Sequence, residues 1–298
     1  MRVTLALAVF LLGALPGLAA SIDDAIALYK TGDYKTARSV ASELAATGDG
    51  RAMVLMGEIY RDGKGVGADL DTAVDWFTRA AQAGESDGDL AIGIINLDGS
   101  LGQVFYDVGE AHVRKAATAG NAAAQYNMGL LASGAFGNPP DWPEAATWYR
   151  KSADQGFADG EYNLGVLYLE GQGVEKSSEQ AAQWLAKAAA KGHADAALDY
   201  GVLVFRGDGV AKNEEIGAKW LLIAAKRGNV VAQNRMARLF IFGKGVAADP
   251  VEAMKWNLLA AKGGRPDAEL DGMLAGLSAD QKAEAQRRAE AFRPGAGE

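Results

Sequence analysis

The sequence predicts an all-α protein, an α/α solenoid of repeated helical hairpins, and three columns of residues predict it. A glycine recurs every 36 residues as Gly57, Gly93, Gly129, Gly165 and Gly201, with Ala237 next in line. A second column runs Gly84, Gly120, Gly156, Gly192, Gly228 and Gly264. An aromatic column runs Trp76, Trp148, Trp184, Trp220 and Trp256, with His112 in the remaining slot. One period held by independent columns without an insertion marks stacked units that bury their apolar faces only against their neighbours. Asp159 to Gly192, DGEYNLGVLYLEGQGVEKSSEQAAQWLAKAAAKG, shows the unit whole: a helix, a glycine-marked loop, a second helix and a closing glycine.

Residues 1–20 read as a signal peptide. Arg2 gives a basic start, Val3 to Leu15 is apolar but for Thr4 and Gly13, and Pro16-Gly17 breaks the run. Small residues then allow cleavage after Ala19 or Ala20. The run is short for a bilayer span and no second apolar segment follows, so a periplasmic or secreted protein is expected, with an uncleaved anchoring helix as the alternative. Net charge is −8, or −9 without Arg2. An acidic chain without clustered Lys and Arg argues against a nucleic-acid partner. With 49% apolar and 23% charged residues the composition is globular, and the absence of cysteine excludes disulfides, thiol nucleophiles and thiolate metal sites.

Residues 21–48 read as an N-terminal capping hairpin of tetratricopeptide type. Ile22 to Tyr29 is apolar at helical spacing, Gly32-Asp33 turns, and Tyr34 to Ala46 restarts a helix. Residues 49–264 then hold six units of 36. Their first helices carry small and large apolar residues four apart, such as Ala124 with Met128 and Ala232 with Met236, which share a face. Glycine costs about 1 kcal/mol against alanine inside a helix, so the mid-helix column needs a packing reason, and Ala237 shows that the requirement is smallness. Gly63-Lys64-Gly65-Val66 and its repeats at 171, 207 and 243 are structural turns, because each follows a helix and not a strand.

Second helices start at Asp69, Asp141, Ser177, Asn213 and Asp249, all good N-caps. Asp141 with Glu144, Ser177 with Gln180 and Asp249 with Glu252 have capping-box spacing, and Pro250 suits a first helical position. Each closing glycine suits a left-handed C-cap. Two loops, 98–106 and 134–142, depart from the pattern and are aromatic; they either cover a neighbouring loop or form a contact site. Residues 265–298 read as C-terminal capping helices, Asp267 to Leu274 and a Ser278-capped helix through Phe292, with a frayed tail.

These residues resemble the Sel1-like repeat family. Asn163-Leu164-Gly165-Val166-Leu167-Tyr168, Gly171-Gln172-Gly173-Val174, Ala181, Ala182, Trp184 and Lys187-Ala188-Ala189 to Gly192 look like its signature, and Tyr126 to Gly129, Trp148 to Lys151 and Trp256 repeat parts of it. The resemblance covers roughly 49–264. It implies a right-handed solenoid whose first helices line a concave face, and adaptor or regulatory protein binding. Cysteine-rich relatives are linked to β-lactam binding, and this chain lacks their cysteine pairs.

Catalytic groupings are missing from the sequence. His112 reads as packing in the tryptophan column and His193 as a helix-start residue, and two lone histidines in different units make no metal site. No cofactor is expected and no catalytic residue is assigned. The binding candidates lie on the first helices, one step round from the core. Asn127, Leu130 and Gly134 become Asn163, Val166 and Glu170, then Asp199, Val202 and Arg206, then Arg235, Arg238 and Phe242. Stacking aligns these sets. By resemblance to tetratricopeptide grooves, Asn127 and Asn163 occupy places that hold a peptide backbone, while Tyr126 and Tyr162 supply aromatic area. Arg206, Arg235 and Arg238 make one end basic, fit for an acidic segment. The function expected is a non-enzymatic scaffold or regulator in the bacterial envelope with a protein or peptide partner. The alternative is a cell-wall-related enzyme or a small-ligand, β-lactam-type binding protein, and a third reading is a purely structural member of a complex.

Overall fold

A computed structural model describes residues 21–295, and the expected leader, residues 1–20, lies outside the described residues. All regular structure among the described residues is helical. The capping hairpin is α1 (Ile22–Thr31) with α2 (Tyr34–Ala46). The repeat hairpins follow: α3 (Gly50–Asp62) with α4 (Leu70–Gln82), α5 (Ser86–Leu97) with α6 (Tyr106–Thr118), and α7 (Ala122–Ala132) with α8 (Trp142–Asp154). Then come α9 (Ala158–Glu170) with α10 (Ser178–Ala190), α11 (Ala194–Arg206) with α12 (Glu214–Lys226), and α13 (Val230–Phe242) with α14 (Pro250–Lys262). Two further helices, α15 (Ala268–Leu274) and α16 (Ala279–Ala291), end the chain.

The chain divides into two compact units, Met1–His112 and Val113–Glu298, with the division inside α6. In the first, each helix from α1 to α5 packs on the next, over a core that includes Met53, Met56, Ile59 and Ala80 beside a cluster of Phe77, Ile92 and Ile95. In the second, α7 to α14 pack in succession and α16 closes onto α14. Leu164, Leu185, Leu221, Met236, Trp256 and Leu270 are buried there.

The mid-helix glycines sit where the second helix leans on bare backbone. A Cβ on Gly129 would lie 2.4 Å from the Tyr149 ring, on Gly57 2.5 Å from Phe77, and on Gly165 2.8 Å from Leu185. This close packing offsets the helix-propensity cost of glycine. The six closing glycines have φ between 82 and 97°, the left-handed conformation the sequence predicts, taken up by the residue just past the C-cap.

Hairpins close through the main chain. The N-cap residue of each second helix donates its N–H to a carbonyl nine residues earlier: Asp69 to Tyr60 at 2.9 Å, Asp141 to Ala132 at 2.7 Å, Ser177 to Tyr168 at 2.9 Å, Asn213 to Val204 at 2.9 Å and Asp249 to Phe240 at 3.0 Å. Phe105, in the aberrant loop, makes the same bond to Asn96 at 2.8 Å. This latch corrects the capping-box expectation. The side chains of Asp141, Ser177 and Asp249 do accept from the backbone of the third helical residue. The reciprocal half of the box needs the N-cap N–H, which the latch already uses. Glu144 instead accepts from Trp148 Nε1 at 3.1 Å, and Glu252 meets Arg288 at 2.7 Å. Full boxes form at Ser21 and Ser278, which have no latch.

The tryptophan column is core on one side and lidded on the other. Trp148, Trp184 and Trp256 are buried, and a cation lies over each ring: Lys151 at 3.9 Å, Lys187 at 3.7 Å and Lys255 at 4.3 Å. Arg79 covers Trp76 in the same way at 3.9 Å. His112, which takes the place of tryptophan in α6, bonds the buried Asp89 at 2.9 Å through Nδ1.

Candidate functional site

Within the Val113–Glu298 unit, α7, α9, α11 and α13 place Asn127, Asn163, Asp199 and Arg235 at one register, 36 residues apart. The half-buried asparagines turn their amide groups toward their own helices, Asn127 Nδ2 to the Ala123 carbonyl at 2.8 Å and Asn163 Nδ2 to Asp159 at 2.9 Å. What each offers outward is its side-chain oxygen, an acceptor suited to a backbone N–H.

Neighbouring aromatics are held in place. Tyr126 sits between Tyr149, 6.0 Å between ring centres, and Phe157 at 5.6 Å. Tyr162 stacks on His193 at 4.3 Å and its hydroxyl donates to Asp199. Burial, with Asp199 close by, raises the Tyr162 phenol to about 12. His193 is fixed in turn: Nδ1 accepts from the Ala196 N–H as the N-cap of α11, and Nε2 lies 3.3 Å from Asp159. This confirms its helix-start role.

Burial first, and then the nearby Asp195 charge, raise the Asp199 carboxyl to about 6, against the pull of Arg235 and the Tyr162 hydrogen bond. Arg235 is destabilised as a cation by burial and by Arg206, and its Nε is buried without a hydrogen-bond partner. Arg206, the last residue of α11, is exposed, as is Glu170, the last residue of α9. Between α11, α12 and α13 lies a cavity of about 160 Å³, floored by Val202, Phe205, Leu221 and Leu239 and rimmed by Arg206, Arg235 and Arg238.

Arg238 is not a free groove cation. Its guanidinium binds Asp267 at 2.7 Å and Glu269 at 2.9 Å. Asp267 also accepts from Asn234 at 2.9 Å and caps α15. These bonds hold its carboxyl down at about 2. The sequence reading placed Arg238 in the groove without these partners, which lie past the end of the 36-residue period.

The sequence reading also missed a staple between repeats. Gln155 Nε2 donates to the carbonyl of Gly120 at 2.9 Å and to Gln125 at 2.7 Å. One repeat later, Lys191 Nζ donates to Gly156 at 2.6 Å and to Glu161 at 2.6 Å. The signal was a pair of columns that change together, Gln with Gln and then Glu with Lys, which a search for one residue type per column passes over.

Among the described residues no group of three or more metal-ligating side chains gathers, and no helix is long and apolar enough to cross a membrane. Stacked helical hairpins that present a continuous polar stripe define a solenoid of the protein-interaction class. The chain belongs to the Sel1 repeat family, whose members are generally protein–protein interaction scaffolds: the family model, Sel1 repeat, matches residues 50–85, 122–157, 158–193, 194–229 and 230–264, more than half of the chain. The unit it leaves out, between 85 and 122, is the one with Phe105 at the N-cap and His112 in the tryptophan column.

Among solved structures, a Sel1 repeat protein from Oxalobacter formigenes is 26% identical with a TM-score of 0.68, over 80% of this chain and 96% of that one. A protective antigen of uropathogenic Escherichia coli with an SLR fold is 23% identical with a TM-score of 0.42, over 91% and 75%. Among curated proteins, Chitin synthase regulatory factor 4 of Schizosaccharomyces pombe is 36% identical over 101 residues, which are 33% of this chain and 16% of that protein. The match thus spans about a sixth of that relative's length.

Proposed function

We propose that the protein is a non-enzymatic scaffold or regulator of the bacterial envelope that holds a peptide or protein partner along the first-helix face of residues 113–298. One observation carries this reading: the aligned stripe Asn127, Asn163, Asp199 and Arg235, flanked by immobilised Tyr126 and Tyr162. Polar side chains at a constant repeat spacing, acceptors at Asn127, Asn163 and Asp199 and a donor at Arg235, with fixed aromatic area beside them, suit an extended chain whose backbone groups also repeat. The regulatory role named for the Schizosaccharomyces pombe relative agrees with it over the short matched segment. The envelope location rests on the leader-like first twenty residues alone.

A crosslinking pull-down from envelope extracts tests the face, with wild type beside Asn127→Ala/Asn163→Ala/Arg235→Ala. A partner captured by wild type and lost by the still-folded triple variant supports the face. Equal capture by both clears it and directs attention to the loops at 98–106 and 134–142, where Phe105 and Phe136 are exposed. Location is tested by expressing the full chain in a Gram-negative host and weighing the periplasmic product. An intact mass ending the leader after Ala19 or Ala20 is expected; a full-length product held in the membrane fraction would overturn it.

A further inference from the structure

The cavity between α11, α12 and α13 joins two features that seldom serve one purpose by accident. Its floor is apolar, from Val202, Phe205, Leu221 and Leu239, and its rim carries Arg206 and Arg235. The two guanidinium charges oppose each other, Arg265 adds to the repulsion, and the nearby Asp199 offsets part of it. Neither arginine has an ion-pair partner among the described residues, whereas Arg238 beside them has two. The Arg235 Nε is a buried donor with nothing to donate to. A buried donor left unpaired costs about 1–3 kcal/mol, which marks the Arg235 guanidinium as incompletely satisfied, and an anion on this rim would relieve the charge repulsion around it.

The apolar floor identifies the anion. At about 160 Å³ the cavity holds roughly five water volumes at about 30 Å³ each, the size of one branched apolar side chain. An internal Asp or Glu spends its side chain on the carboxylate and has nothing left to fill the floor. A C-terminal residue carries a free carboxylate and a separate side chain on the same carbon. We propose that this cavity receives the C-terminal residue of a partner polypeptide, with its apolar side chain on Val202, Phe205, Leu221 and Leu239 and its terminal carboxylate between Arg206 and Arg235. The preceding residues then run back along the stripe toward Asn163 and Asn127. The proposal rests on the peptide-binding reading above and fixes its direction and its end.

The test is selection of a peptide library with free C-termini on the full chain, followed by binding titrations of the selected peptides as acids and as C-terminal amides. Expected are binders with Leu, Ile, Val or Phe as the last residue, at least tenfold weakened by amidation and at least tenfold weakened by Arg206→Gln. Arg206 is an exposed helix-end residue whose replacement leaves the core untouched. Arg235→Lys, which keeps the charge and loses the fork, is expected to lose most of the same affinity. Binders that tolerate amidation, or whose last residue is not enriched, overturn the terminal-carboxylate proposal; if they still lose affinity on Asn127→Ala/Asn163→Ala, the peptide-binding reading stands without it. No binder at all overturns the proposal too, and the envelope pull-down then decides the wider reading separately.

Discussion

Asp199 concentrates the electrostatics of the first-helix face, with Asp195 on its own helix, Tyr162 on α9 and Arg235 on α13 around it. Its folded pKa, about 6, stands above the ordinary value of 3.8 because the charged form is poorly solvated. A raised pKa adds stability below the unfolded value and removes it as pH rises through the folded one. The stability of Asp199→Asn relative to wild type is therefore expected to rise by about 2 kcal/mol between pH 4 and pH 7 in urea titrations. A flat difference would show that Asp199 ionises normally. Gly129 makes a second point at this scale. Alanine gains about 1 kcal/mol of helix propensity there, but its Cβ would stand 2.4 Å from the buried Tyr149 ring, and overpacking costs about 1–3 kcal/mol. Gly129→Ala is expected to lower the urea midpoint; an unchanged or higher midpoint would mean that the ring yields. The sequence showed that this position must be small. It could not show Asp199's neighbours, because Tyr162 and Arg235 come from helices on either side.

For the helical hairpin, the readable part was what each residue does to its own backbone: caps, turn glycines and the apolar face. The rest was contact between successive hairpins. The Glu161–Lys191 staple illustrates it. Glu161 is only 2% exposed, and one of its oxygens, Oε2, has no partner at all. Lys191→Ala is expected to destabilise by about 3 kcal/mol, since it leaves a buried carboxylate alone. The preceding hairpin solves the same problem with Gln125 and Gln155. Glu161→Gln/Lys191→Gln should accordingly recover most of the loss, and a double-mutant cycle reads the coupling. Equal losses from the single and double variants would refute the staple. The latch gives a further outcome. Asp249→Ala removes only the side-chain cap and should cost about 1 kcal/mol, whereas Asp249→Pro also deletes the latch N–H at a φ of −147° that proline cannot adopt. The proline variant should lose several times as much stability in thermal melts.

Across the molecule, the 36-residue period disclosed the architecture because every repeat faces the same packing problem. It disclosed nothing past Gly264, where the period ends, and so missed the ion pairs of Arg238. That arginine ties α13 to α15 through Asp267, while Arg288 of α16 reaches Glu252 of α14. Deleting 267–298 removes both ties and uncovers Trp256, which packs on Phe292. Truncation at Pro266 is expected to lower the melting temperature by several degrees and to raise dye binding by exposed apolar surface; an unshifted melt would mean that the last two helices carry no load.

The main-chain latch has a practical consequence for protein engineering. A hairpin fastened by an N–H and a carbonyl places no demand on the letters between them, and the Phe105–Asn96 bond closes across a loop unlike any of the others. A tag or a fluorophore-bearing loop spliced between Ser100 and Leu101 would leave both gateposts in place. It would give a handle for immobilising the chain.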